Sequence, residues 1–149
     1  MTEVLIYRPT KVSAQKVLPK LLESVIAKGN NVHILCETDD QVAQLDDFLW
    51  TYEQLSFLPH ATYKDEQVEK QPIILSVEKK NLNKASVLVM MSQKLPENFS
   101  DFSKLIYIAD SNQGDLFEKA KAECANNNLK FDCFVQNEKG WEKKEGAAI

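Results

Sequence analysis

The stretch Val32-His33-Ile34-Leu35-Cys36-Glu37-Thr38-Asp39-Asp40-Gln41 decides the fold class. Its first five residues are a short apolar run broken by one histidine, the length of a buried strand, and the residues after Glu37 switch to a helix start. Thr38 and Gln41 have the spacing of a capping box, in which the hydroxyl and the side-chain amide satisfy orphan N–H groups reciprocally. Asp39 and Asp40 place negative charge at the positive end of the helix dipole. Beyond them Val42, Leu45, Phe48 or Leu49, and Tyr52 keep a helical period, so a strand passes directly into an amphipathic helix.

The same alternation extends outward on both sides. Val4-Leu5-Ile6-Tyr7 is an apolar run stopped by Pro9, an opening strand. Over residues 13–28, Val17, Leu18, Leu21, Leu22, Val25 and Ile26 recur at three-to-four spacing, with Ser13 as a cap and Gly29 as the stop. Pro19 implies a weak first turn, with the helix either starting properly near Leu18 or bending there. From Glu53 to Gln71 the pattern fades into a loop with a hydrophobic knuckle at Leu55-Ser56-Phe57-Leu58-Pro59-His60. Pro72–Ser76, Ser86–Met91 and Lys104–Ala109 are near-continuous apolar runs, as in parallel strands covered on both faces. Asp110 or Ser111 can cap a last helix that carries Leu116, Phe117, Ala120 and Cys124 on one side and ends at the Asn126–Asn128 run. Phe131–Val135 is a closing strand. The lysine- and glutamate-rich segment after Glu138 is expected to be mobile apart from Trp141. The pattern predicts one three-layer α/β domain over residues 1–138 with a mostly parallel central sheet, followed by a polar tail over 139–149.

Composition narrows the function. With 18 Lys plus Arg against 22 Asp plus Glu the chain carries a formal charge of −4, which argues against a surface that itself holds duplex DNA, since that affinity comes from cations neutralising phosphates. Nucleic acid is expected to be reached only indirectly. The four glycines (Gly29, Gly114, Gly140, Gly146) form no phosphate-binding loop, and Arg8-Pro9-Thr10-Lys11 after the first strand lacks the glycines a pyrophosphate needs. No Gly-x-Ser-x-Gly elbow is present. Cys36, Cys124 and Cys133 contain no C-x-x-C pair and read as core thiols. The two histidines, His33 and His60, share no motif, and no metal is expected. The N-terminus does not resemble a signal peptide, and no run approaches the ~18 apolar residues of a membrane span, so a cytoplasmic protein without membrane association is expected.

Two residue sets look like contact surfaces. Trp50, Tyr52, Phe57, Leu58 and Pro59 fall within ten positions at a helix end and the loop after it; they either close the domain's own core or form an interface anchored by aromatics. Lys119, Lys121 and Lys130, with Leu129 and Phe131 beside them, are either a solvated helix face or a receptor for an acidic, hydrophobic peptide end.

Taken together, Val32–Glu37, Gln41–Trp50 with its Leu45-Asp46-Asp47-Phe48-Leu49-Trp50 helix, and Ser56-Phe57-Leu58-Pro59-His60 closely resemble the chi subunits of bacterial DNA polymerase III. The likeness extends more loosely through Pro72–Leu75 and Asp110 to Phe134 and Trp141. The resemblance implies a Rossmann-like, non-catalytic adaptor of the clamp-loader assembly, without cofactor, that is monomeric or paired with the psi subunit. It also implies binding to the acidic C-terminal tail of single-stranded-DNA-binding protein. Trp50 and Phe57 match positions implicated in contact with psi, and Leu58 and Pro59 adjoin them. Lys121 matches the first basic position of the tail pocket, with Lys119, Lys130 and Phe131 around it, whereas Glu123 stands where the family carries another positive residue. The competing reading is a small α/β nucleotide-binding domain or hydrolase, its site at the carboxyl ends of the strands near Glu37, Asp110 and His60.

Overall fold

In the computed structural model, which describes residues 3–9, 14–51, 61–64, 70–77, 83–91, 99–108, 116–137 and 140–147, strands and helices follow one another as the hydrophobic periods require. The elements are β1 (Glu3–Arg8), α1 (Ala14–Ala27), β2 (Val32–Leu35), α2 (Asp39–Thr51), β3 (Ala61–Thr62), β4 (Ile73–Ser76), β5 (Val87–Met90), β6 (Lys104–Ile108), α3 (Leu116–Asn126), β7 (Phe131–Asn137) and β8 (Gly140–Ala147). The strands form one sheet in the order β3-β4-β2-β5-β6-β1-β7-β8. Every neighbouring pair is parallel except β7 with β8. The expected α/β domain with a mostly parallel sheet is therefore what the chain forms.

Every residue of β2, β4 and β5 is buried, which explains why these runs show no polar alternation: both faces are covered. On one face α1 and α2 contribute Leu18, Leu22, Val25, Val42, Leu45 and Leu49 to a core with Ile34, Leu75, Val89 and Ile106. On the other, α3 contributes Ala120 and Cys124 to a core with Ile6, Leu88, Tyr107, Phe131 and Cys133. From β1 the chain moves through α1 and α2 toward the β3 edge, and from β6 it moves through α3 the opposite way to β7. Right-handed crossovers then require the helices on opposite faces, which produces the three layers.

Local chemistry sets the helix ends. Thr38 Oγ1 accepts from the Gln41 N–H at 3.1 Å, as the capping box predicts, but Gln41 Oε1 accepts from the N–H of Glu37 at 2.8 Å rather than from Thr38. Gly29, at φ 84, closes α1, its N–H donating to Ile26 O at 2.9 Å and the Asn30 N–H to Val25 O at 3.3 Å, a Schellman motif. The same motif closes α3 with Asn128 at φ 56, the Leu129 N–H donating to Cys124 O at 2.8 Å. α1 begins at Ala14, which places Pro19 inside the helix rather than in its first turn. The missing N–H of Pro19 leaves only the Gln15 carbonyl without its helical donor, a loss the packed apolar face of α1 offsets.

Two stretches depart from expectation. Within the loop expected over residues 53–71, Ala61–Thr62 pairs with Ile74–Leu75 as the edge strand β3; a strand of two residues is too short to show a period. The segment after Glu138, expected to be mobile, instead turns back as β8, with Asn137 opposite Gly140 and Phe131 opposite Ala147. Lys and Glu are poor strand formers, yet at an edge their charges stay solvated while the backbone pairs on one side. Gly140, at φ 124, supplies a conformation at the turn that side chains rarely adopt.

The opposite end of the sheet is tied by side chains. Buried Asn83 donates through Nδ2 to Val32 O at 3.2 Å and Gln71 O at 2.9 Å. Ser86 Oγ donates to Asn30 Oδ1 at 3.0 Å, and Ser103 Oγ to Ser86 O at 3.0 Å.

Candidate functional site

The basic residues singled out in the sequence sit on α3 and on the turn that joins it to β7. Ala120 and Cys124 face the sheet and are fully buried. With about 100° per residue, Lys121 and Glu123 flank that buried stripe on opposite sides, and Lys119 lies about 200° from Lys121. The helix thus separates Lys119 from Lys121. Lys121 is the more enclosed, its side chain 22% exposed, with Nζ 3.4 Å from Glu118 Oε2 and 3.5 Å from Oε1. Lys119 and Lys130 are exposed. Glu123 Oε2 lies 3.5 Å from Asn127 Nδ2, which also donates to the Glu123 carbonyl at 2.8 Å.

Lys130 is positioned by the Schellman motif that ends α3, between buried Leu129 and buried Phe131. Phe131 belongs to the core beneath α3 with Ala120, Cys124 and Leu129. Its side chain is therefore mostly buried.

Of the aromatic knuckle, Trp50 lies in the last turn of α2, one residue after buried Leu49. Phe57, Leu58, Pro59 and His60 lie outside the described residues, as does Asp110. Of the strand-end residues of the competing enzyme reading, Glu37 is exposed and its N–H is engaged by Gln41.

The thiols carry no sign of activation. All three are free and buried, and burial pushes Cys36 and Cys124 up to about 12, so both are protonated at neutral pH. Burial, with smaller effects from Cys124 and Glu123, also raises Tyr107. His33 is fully buried with its ring edge-on to Phe102 at 6.2 Å. Among the described residues no group of three or more His, Cys, Asp and Glu side chains is placed to hold a metal ion. Among them, too, no helix is long and apolar enough to cross a membrane.

The structure adds an aromatic cluster that the sequence pattern did not bring together. Tyr7 of β1 stacks on Phe134 of β7, with centroids 5.2 Å apart and planes at 19°, and Trp141 of β8 meets Tyr7 edge-on at 5.2 Å. Trp141 remains 40% exposed. The signal was faint: Trp141 is the lone aromatic in a charged segment, and only the hairpin carries it to Tyr7.

Comparison with known proteins gives a consistent result. The family model of the DNA polymerase III chi subunit, HolC, matches residues 1–124. Over 153 aligned residues the chain is 33% identical to the probable DNA polymerase III subunit chi of Rickettsia prowazekii, which covers 96% of this chain and 92% of that protein. Over 95 residues it is 26% identical to the DNA polymerase III subunit chi of Haemophilus influenzae, covering 63% of this chain and 66% of that protein. The family match includes β1 to β6 and the greater part of α3; Lys130 and Phe131 lie beyond it.

Proposed function

The chain belongs to the DNA polymerase III chi subunit family, and from that premise we propose that it is a non-catalytic, cytoplasmic adaptor of the replicative polymerase. In this reading one surface, built from Trp50, Phe57, Leu58 and Pro59, binds psi and through it the clamp loader. A second, built from Lys121, Lys130 and Phe131, takes the acidic C-terminal tail of single-stranded-DNA-binding protein; Lys119, expected with them from the sequence, projects from the other side of α3 and stands apart from it. The observation that carries the reading is the family match over residues 1–124, since it spans α2, with Trp50 in its last turn, and the Phe57-Leu58-Pro59 segment of the sequence.

The chemistry of the second surface fits an acidic peptide: ammonium groups supply charge-assisted hydrogen bonds to carboxylates, with Phe131, of the core, next in the chain to Lys130. The adaptor needs no affinity for DNA. Joining the clamp loader to the protein that coats the template makes the second contact intramolecular, which adds ~10²–10⁴-fold in avidity when both sites are engaged. A chain of charge −4 suits a protein that reaches DNA through partners.

The test is capture by purified single-stranded-DNA-binding protein with and without its C-terminal tail. Capture by the intact form alone, weakened in Lys121→Ala and Lys130→Ala, is the expected result; equal capture by both forms overturns the tail site. For the other surface, Trp50→Ala and Phe57→Ala are expected to abolish co-purification with psi while tail binding persists.

A further inference from the structure

Building on the tail-binding reading of α3, we infer that Glu118 sets the affinity of this surface by competing with the incoming peptide carboxylate for Lys121. Both carboxylate oxygens of Glu118 lie against the Lys121 ammonium, at 3.4 and 3.5 Å. The two partners are unequally held: the Lys121 side chain is 22% exposed and that of Glu118 is 68% exposed. The Lys121 side chain is largely enclosed, whereas the Glu118 carboxylate is mostly solvated and can swing into water with little loss.

A carboxylate that docks on Lys121 therefore replaces one already there. One ion pair forms as another breaks, and the displaced Glu118 is rehydrated. Lys119 does not substitute for Lys121, because it projects from the far side of the helix. Glu118 also stands in the first turn of α3, where its negative charge favours the helix whether or not it contacts Lys121. The internal pair lowers peptide affinity by its own strength. For a helical i,i+3 pair that is about 1.5- to 2.5-fold.

The experiment is fluorescence anisotropy of a labelled acidic peptide ending in a phenylalanine carboxylate, titrated at low salt with the full chain. Glu118→Gln is expected to tighten binding about 1.5- to 2.5-fold. In a Lys121→Ala background the same change is expected to keep only the small gain that removing one negative charge from α3 gives. Glu123→Gln removes an equal charge from the opposite flank and controls for the general field; its smaller effect is expected to persist without Lys121. Circular dichroism of each variant checks that α3 is intact. An equal gain from Glu118→Gln with and without Lys121 overturns the exchange. If Lys121→Ala weakens binding but Glu118→Gln leaves it unchanged, the exchange fails and the tail site stands. If neither the wild-type chain nor any variant binds the peptide, the tail site fails and the exchange with it.

Discussion

Asn83 Nδ2 donates to the carbonyl of Val32, 51 residues away in sequence, at 3.2 Å, and so fastens the loop before β5 to the start of β2. The same nitrogen reaches Gln71 O at 2.9 Å, just ahead of β4. One buried amide thereby ties together the entry points of three strands. Asn83→Ala is expected to lower unfolding free energy by about 1–3 kcal/mol, the range for stranding buried acceptors. Asn83→Asp is expected to do at least as much harm, because it offers carbonyls a carboxylate. Urea denaturation of both variants checks the order.

Lys84, next in the chain, adopts φ 50, a conformation that costs a side chain with a Cβ about 1–2 kcal/mol. After allowing for glycine's larger chain entropy, Lys84→Gly is expected to stabilise the fold, by roughly 0.5–1 kcal/mol. Asn128, at φ 56, is better suited to its place, and Asn128→Ala is expected to destabilise. Thermal melts of the two variants should move in opposite directions.

The cap on α2 makes a graded prediction. Thr38→Ala removes the acceptor for the Gln41 N–H, and about 1 kcal/mol of stability should go with it. Gln41→Ala frees only the exposed N–H of Glu37, which water can satisfy, and its effect should be smaller. Chemical denaturation resolves the two.

Alkaline pH should weaken the fold. Burial holds the Cys36 and Cys124 thiols at about 12, above the 9.0 of an ordinary thiol. The unfolded chain therefore loses these protons first, so the stability they support is complete below pH 9 and is lost as pH rises toward 12. Between pH 9 and 10 the decline belongs chiefly to the thiols; above pH 10 buried Tyr107, also raised, adds to it. Unfolding free energy measured at pH 8 and pH 10 should fall in the wild-type chain. The fall should be shallower in a Cys36→Ala, Cys124→Ala double variant, whatever its stability at pH 8.

On the proposed reading, binding of the acidic peptide should weaken steadily as salt rises from 50 to 300 mM, since the contacts proposed for Lys121 and Lys130 would be charge-assisted at a solvated surface. The binding of psi proposed for Trp50 and Phe57 should change little over that range. Isothermal titration at three salt concentrations separates the two.

What the sequence made legible was local. Val32–Gln41 announced its strand and helix because the apolar run, the cap and the acidic first turn all lie within ten residues. The Asn126–Asn128 stop was likewise carried by neighbouring residues. Strand order was not legible, because β2, β4, β5 and β6 are similar apolar runs and nothing in them encodes which neighbour each accepts. β3 was too short to show a period, and β8 was written in residues that avoid strands. In the candidate site the Glu118–Lys121 pair was accessible from its i,i+3 spacing, as was the separation of Lys119 from Lys121. The meeting of Tyr7, Phe134 and Trp141 was not, because it depends on β1, β7 and β8 pairing across the whole chain.

The β7–β8 hairpin has a bearing on solubility. β8 forms the outer boundary of the sheet, and Glu142-Lys143-Lys144-Glu145 gives that boundary four consecutive charges. A chain shortened to residue 137 would hand the boundary to β7, whose Phe131, Cys133, Phe134 and Val135 would border a row of unpaired backbone donors and acceptors. Such an edge recruits other chains. β8 thus acts as a seal against self-association at this edge of the sheet.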